Sequence, residues 1–220
     1  MQICSPLEGI NLAELPEVVT NPFHPPRPGR DDPHHGVDFA FYRFKDKVSM
    51  LGLPVHAVLD GKVASVINNR YPYGNMIMIE TPLEQVPRDW QTLWAVPTPA
   101  PTNEPISNLS CPELPGLLTW NPEKRSLYLL YAHLYNPPGF QIGDSITCGQ
   151  QIGQVGDTGD STNEHLHLEV RVGPSGAQFT SMAHYDNSAT LEEMHNYCIW
   201  RVSGIFQMFD PMQLFKTMLK

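Results

Sequence analysis

Twenty-two of the 220 residues are proline, about twice the usual share of roughly 5%. Proline lacks an amide hydrogen and fixes φ, so it interrupts helices and sheet interiors. A chain seeded with it at this density is restricted to short elements and long connections. The prolines concentrate in Asn21 to Pro33 (NPFHPPRPGRDDP) and Pro82 to Pro122, which lack hydrophobic periodicity and read as loop-rich decoration.

Outside those stretches the pattern is one of short strands. PVHAVLDGKVASVI contains Asp60-Gly61, a dipeptide suited to a two-residue hairpin turn, and is expected to form a hairpin. Gly74 to Thr81 (GNMIMIET) reads as the next strand, after which LLTW and SLYLLYAHL resume the sheet with Asn121 to Arg125 turning between them. Gln150 to Val155 and His165 to Val172 follow, separated by the turn-rich GDTGDSTNE. A helical period appears only late: Leu191, Met194, Cys198 and Val202 recur at three- and four-residue steps behind the capping box Thr190-x-x-Glu193. Asp210 and Pro211 are suited to start a short second helix. The expected fold is mainly β, a compact antiparallel sheet or sandwich with an open groove. Long Pro-rich loops should form the groove walls, and one or two helices should follow near the C-terminus.

The length suits one core. Hydrophobic residues at 41% and charged residues at 17% exclude a disordered chain. With 23 acids against 14 bases the net charge is −9, which disfavours nucleic acid and anionic membrane surfaces as partners. There is no long apolar span, and MQICSPLEGINLAELPE has neither a basic nor an apolar leader segment, which leaves either a cytoplasmic chain or one whose leader is missing. The cysteines Cys4, Cys111, Cys148 and Cys198 lack CxxC spacing and are expected as buried or idle thiols; if they pair, three arrangements are open.

Three places put imidazoles where two side chains can share one cavity. Pro33-His34-His35-Gly36-Val37-Asp38 sets a histidine and a carboxylate four residues apart beside a glycine, a donor pair that suits zinc. His165-Leu166-His167-Leu168-Glu169 alternates, so on a strand both imidazoles and the carboxylate project from one face. His133 ends the apolar run Tyr131-Ala132-His133-Leu134, where an unpartnered ring would be costly. His24, His35, His56, His184 and His195 show no such spacing. His35 adjoins two of these residues but is one residue out of phase, and is expected to point away.

HxxxD, a lone histidine and HxH, in that order, resemble the signature of the lysostaphin and LytM family of zinc endopeptidases. The resemblance covers roughly Pro33 to Gly173 apart from the Pro-rich insertion, with YAHLYNPPGFQIGDSITCGQQIGQVGDTGDSTNEHLHLEV similar to the family's catalytic half. It implies one zinc ion held by His34, Asp38 and His167 with an open fourth position, the arrangement of a catalytic site. It assigns His133 and His165 acid–base and electrostatic roles around a zinc-activated water, without distinguishing which is the base. Glu169 is placed to orient an imidazole as a hydrogen-bond acceptor or to serve a structural hydrogen bond.

The implied activity is peptide-bond hydrolysis, by analogy in peptidoglycan cross-links or stem peptides, by a monomer at an extracytoplasmic or cell-envelope site. The alternative is a non-catalytic LytM-like module that binds and activates another hydrolase. In this scheme residues 1–33 form a Pro-rich N-terminal segment packing on the domain. Residues 34–180 form the LytM-like domain with an insertion at about 81–125, and 181–220 a C-terminal helical extension. The sequence departs from the family at Ser161-Thr162-Asn163-Glu164, where glycine is usual after the threonine. Asparagine tolerates a left-handed turn, so the turn can survive, while Glu164 bears on substrate preference. The long stretch after Thr81 is expected to line the groove.

Overall fold

In the computed structural model, which describes residues 1–98 and 108–216, twelve strands are present among the described residues. They are β1 (Val19–Asn21), β2 (Val37–Phe39), β3 (Arg43–Phe44), β4 (Lys47–Val48), β5 (Pro54–His56), β6 (Gly61–Arg70), β7 (Gly74–Pro82), β8 (Asn121–Leu134), β9 (Ser145–Ile146), β10 (Gln151–Gln154), β11 (Leu166–Ser175) and β12 (Gln207–Met208). Eight form one sheet in the order β1-β2-β11-β8-β7-β6-β9, with β12 beside β11. Every pairing in it is antiparallel. The helices α1 (Arg88–Leu93), α2 (Leu191–Arg201) and α3 (Met212–Phe215) are short, as the proline content requires.

Both faces of the sheet are buried. Along β8, Leu127, Leu129 and Tyr131 enter one apolar cluster, closed by Ile3, Leu7, Ile10, Leu15 and Trp94. The alternate residues Tyr128, Leu130 and Ala132 enter a second, closed by Phe179, Tyr197, Trp200 and Phe206. A strand covered on both sides reads as a continuous apolar run rather than an alternation, which is why SLYLLYAHL has no polar phase.

The late helical period is α2, capped as the sequence indicates: Thr190 accepts from the Glu193 amide and the Glu193 carboxylate accepts from the Thr190 amide. Arg70 docks this end of the helix, donating from Nε and Nη2 to Glu193 at 2.7 Å each. Burial alone would raise the Glu193 pKa, but Arg70 and the cap hold it down at about 2 from an ordinary 4.5. A depressed carboxylate contributes stability above its unfolded pKa and loses it as pH falls through the folded value. The melting temperature is therefore expected to fall between about pH 4.5 and 2, and less steeply in Glu193→Gln; identical acid profiles for the two proteins would refute the assignment.

Several expectations change. Asp60-Gly61 makes no two-residue hairpin, because β5 pairs with β10 and β6 with β7 and β9. Gly61 is needed for close packing, since a Cβ there would stand 2.3 Å from the Glu80 carbonyl oxygen. Asp60 instead accepts from the Cys148 amide. LLTW is not a strand, and Asn121 to Arg125 is no turn but the start of β8; Ser175 pairs with Asn121, extending the ladder past the expected edge. The Pro-rich insertion is not wholly loop, for it contains α1.

The cysteines are not idle. Cys4 joins Cys148 and Cys111 joins Cys198, tying the N-terminal segment to the turn before β10 and the insertion to α2.

Candidate metal centre and active site

β2 and β11 pair so that Asp38 lies opposite His167. Val37, Phe39, Leu166 and Leu168 turn to the first apolar cluster, which leaves Asp38, His167, Glu169 and Arg171 on the other face. Gly36 permits the approach of the segment carrying His34: a Cβ there would meet the Leu168 carbonyl oxygen at 2.4 Å and His167 Cε1 at 2.8 Å.

His34 Nε2 lies 3.0 Å from Asp38 Oδ1 and 3.1 Å from His167 Nδ1, and His167 Nδ1 lies 2.7 Å from Asp38 Oδ1. These three are the one His/Cys/Asp/Glu group among the described residues able to hold a metal ion. The outward-facing nitrogens define the protons. His34 Nδ1 meets the Pro22 carbonyl at 3.0 Å, and a carbonyl can only accept, so that nitrogen carries hydrogen and Nε2 holds the lone pair. His167 Nε2 donates to Glu169 Oε1 at 3.2 Å, so Nδ1 is the nitrogen that would give up its proton, now shared with Asp38, to ligate a metal. Asn21 Nδ2 donates to Asp38 Oδ2 at 2.9 Å and fixes the carboxylate. Two ring nitrogens and one carboxylate oxygen thus converge on a single point. Their separations approach the edges of about 3.3 Å that a tetrahedron of ligands at 2.0–2.1 Å would have, so the donor set fits zinc.

Burial favours neutral His167, but the hydrogen bonds it donates to the Asp38 and Glu169 carboxylates outweigh it and raise the pKa to about 9, so without a metal the ring is an imidazolium. Burial likewise disfavours ionised Asp38, but His167 and His34 hold it well below the usual carboxylate range.

His133 reaches the same cavity through a bulge. Tyr131 pairs with Ile77 but Leu134 with Asn75, so two residues of β8 stand against one of β7. Leu134 consequently returns to the face of Tyr131 after three residues, and both Ala132 and His133 sit between with His133 at φ 60°. Its ring lies 4.6 Å from His165 and 5.7 Å from His167, centroid to centroid. His133 Nδ1 donates to the Thr158 carbonyl at 2.7 Å and His165 Nδ1 to the Asn163 carbonyl at 2.9 Å. Nε2 is thus the nitrogen left to each ring; that of His165 lies 3.8 Å from Asp38 Oδ1. Burial first, then the neighbouring His167 and His165, push the His133 pKa down to about 3.

All five histidine and aspartate positions singled out by spacing therefore line one groove of about 1080 Å³. Its walls come from Asn21 and Pro33, from Tyr42 and Val48, and from Asp160 to Glu164. The insertion after Thr81 does not line it among the described residues, contrary to expectation. It leaves β7 at Pro82, opposite Ser126, eight steps and roughly 26 Å along β8 from the site end, where Asn75 meets Leu134; its later part returns to bond Gly29 and Asp31 through Asn108, but none of its described residues lines the groove. Asn163 is not left-handed; Gly159, at φ 78°, takes that role in the turn.

His35 is not one of the three convergent donors; it is buried at the edge of the same groove, with Nδ1 accepting from Arg171 at 2.6 Å. His184 and His195 bond the Ser110 and Pro112 carbonyls, and His24 is exposed. Sequence reasoning missed Asn21, Tyr73, Arg171 and Arg201. Only Arg171 carried a signal, as the next term of the alternation His167, Glu169, Arg171.

The fold and site define an antiparallel β domain with three convergent donors, able to hold a metal ion, at one end of its sheet. Residues 116–180, which include His133, His165, His167 and Glu169, match the family described as Peptidase family M23, and the resemblance to the lysostaphin and LytM proteins is borne out over that segment. Among solved structures the chain is similar to the catalytic domain of the antimicrobial peptidase lysostaphin from Staphylococcus simulans (22% identity, 94% of this chain and 98% of that one, TM-score 0.46). It is also similar to a mutant catalytic domain of the prophage-encoded M23 protein EnpA from Enterococcus faecalis (21%, 73% and 85%, TM-score 0.42). A third likeness is to a zinc containing peptidase from Vibrio cholerae (24% identity, TM-score 0.38), where 69% of this chain spans about a third, 32%, of that one. No helix among the described residues is long and apolar enough to cross a membrane.

Proposed function

We propose that the chain is a zinc-dependent endopeptidase that hydrolyses peptide bonds in peptidoglycan stem peptides or cross-links. The observation that carries this reading is the convergence of the His34, Asp38 and His167 donor atoms, with two further imidazoles facing the same groove. His34, Asp38 and His167 would hold the ion. When bound, zinc supplies Lewis acidity, lowering the pKa of a water ligand and polarising a carbonyl. The chain's own residues supply the proton chemistry. His133 and His165, each with Nδ1 committed to a backbone carbonyl, present Nε2 to the same space as the groups that would take or give a proton. The alternative, a module that only activates another hydrolase, has no need of a complete donor set, and the retained set favours the enzyme.

The two disulfides favour an oxidising compartment, in keeping with action at the cell envelope. The test is incubation of the metal-loaded protein with purified sacculi and glycine-bridged peptides, with products read by mass. New peptide termini are expected, and none in either substrate would sink the peptidoglycan reading. Exhaustive chelation is expected to abolish cleavage and zinc, but not magnesium, to restore it, because two imidazoles and a carboxylate suit zinc over oxygen-preferring cations. Full turnover after chelation would be fatal to the metal reading.

A further inference from the structure

Glu169 is wholly buried, two residues beyond His167 on the same face of β11, and its two oxygens have different partners. Oε2 accepts from Arg171 Nε and Nη2 at 3.0 Å each and from Trp200 Nε1 at 3.1 Å. Oε1, the oxygen that accepts from His167 Nε2, is held by Arg201 Nη1 at 2.7 Å and the Tyr73 hydroxyl at 2.8 Å. Arg201 is the last residue of α2. The rest of its guanidinium is bound to Asp31, with Nε on Oδ1 at 2.5 Å and Nη2 on the backbone carbonyl at 3.1 Å. Asp31 lies three residues before His34 and is itself fixed through Oδ2 by the Tyr185 and Tyr197 hydroxyls at 2.7 and 2.9 Å.

One planar cation therefore spans the two arms of the chain that carry the imidazole donors: it grips the segment leading into His34 and the carboxylate that orients His167. Guanidinium geometry allows this, because its fork presents several donors in fixed directions, which a lysine ammonium cannot reproduce.

We propose that Arg201 is a positioning residue of the metal centre, holding Glu169 Oε1 against His167 Nε2 and the Asp31 segment beside it, so that the C-terminal helix is part of the site. The inference rests on reading His34, Asp38 and His167 as the metal-holding residues. Removing the guanidinium leaves the Tyr73 hydroxyl as the remaining anchor of Oε1 beside His167, holds the His167 ring less tightly and relaxes the segment carrying His34. Loss of such outer hydrogen bonds typically weakens metal binding by about 10- to 100-fold.

The test is zinc affinity by competition with a chelator, on the intact protein, for wild type, Arg201→Met, Arg201→Lys and Arg70→Met, with melting temperatures of the zinc-free forms measured alongside. Arg70 holds the same helix at Glu193, eight residues and roughly 12 Å from Arg201 along its axis, so its variant reports what loosening the helix does by itself. Arg201→Met is expected to bind zinc about 10- to 100-fold more weakly, and Arg201→Lys to fall between it and wild type. Arg70→Met should melt earlier with zinc affinity unchanged. Wild-type affinity in Arg201→Met, or an equal loss in Arg70→Met, would overturn the inference while leaving the zinc reading intact. Failure of wild type to bind zinc would overturn both. If Arg201→Met does not fold, Arg201→Lys decides: weakened zinc binding supports the role and unaltered binding rejects it.

Discussion

His167→Ala is expected to lose zinc and turnover together, whereas His165→Ala, altered two residues away on the same strand, is expected to keep zinc and lose only rate. His167 Nδ1 is one of three convergent donors; without it an ion would be left with His34 and Asp38, too few protein ligands for a stable site. His34→Ala and Asp38→Ala should behave like His167→Ala. His165 is tied to the Asn163 carbonyl, and its Nε2 stands off Asp38 at 3.8 Å, so its removal spares the three donors. The cost is that of a lost proton carrier or oxyanion donor, roughly 10²–10⁴ in rate. His133→Ala belongs with His165→Ala. Zinc content, melting temperature and turnover on the five variants decide the matter: zinc lost stoichiometrically from His165→Ala, or retained in His167→Ala, would show the division of labour to be wrong.

Glu169→Ala is expected to be the most destabilising single substitution at this site. It strips the shared carboxylate from Arg171, which is fully buried, and from Arg201, and leaves the Trp200 indole N–H without its acceptor. Burial alone would protonate Glu169, but Arg171 and Arg201 keep its pKa well below normal, so the native group is a carboxylate. Breaking a buried ion pair by removing one partner costs about 3–5 kcal/mol, or roughly 6–20 °C in melting temperature for a domain of this size. Calorimetry of the zinc-free proteins checks this, and a melting temperature within a degree or two of wild type would contradict it. Glu169→Gln keeps the shape but not the charge and should fall between the two.

The parts of this site legible in the sequence are those in which periodicity is the physics. HxH with a carboxylate two residues on declares one face of a strand, and β11 has that face. HxxxD with an adjoining glycine declares two donors beside a close backbone approach, which Gly36 provides. What could not be read depends on where chain segments meet. The bulge that turns His133 into the groove arises from the mismatch between β8 and β7, and nothing in Tyr131-Ala132-His133-Leu134 encodes it. The departure of the long insertion at the far end of the sheet follows from strand direction, and the return of Asn108 to Gly29 and Asp31 is a tertiary fact. The cysteine pairing, and the meeting of Asp31 with Arg201 across 170 residues, are tertiary facts without a local trace. The Asp60-Gly61 misreading is of the same kind: a good turn dipeptide was overridden by the pairing of β5 with β10.

The left-handed backbone of His133 sets stability against activity. An L-residue with a Cβ at φ 60° stores about 1–2 kcal/mol that glycine would not. Laboratory evolution for heat tolerance alone should therefore drift toward glycine or asparagine at position 133 and discard the ring. If the chain cleaves as proposed, selection on cleavage should hold histidine there despite the strain, and a stabilised version of this protein is better sought elsewhere in the sheet.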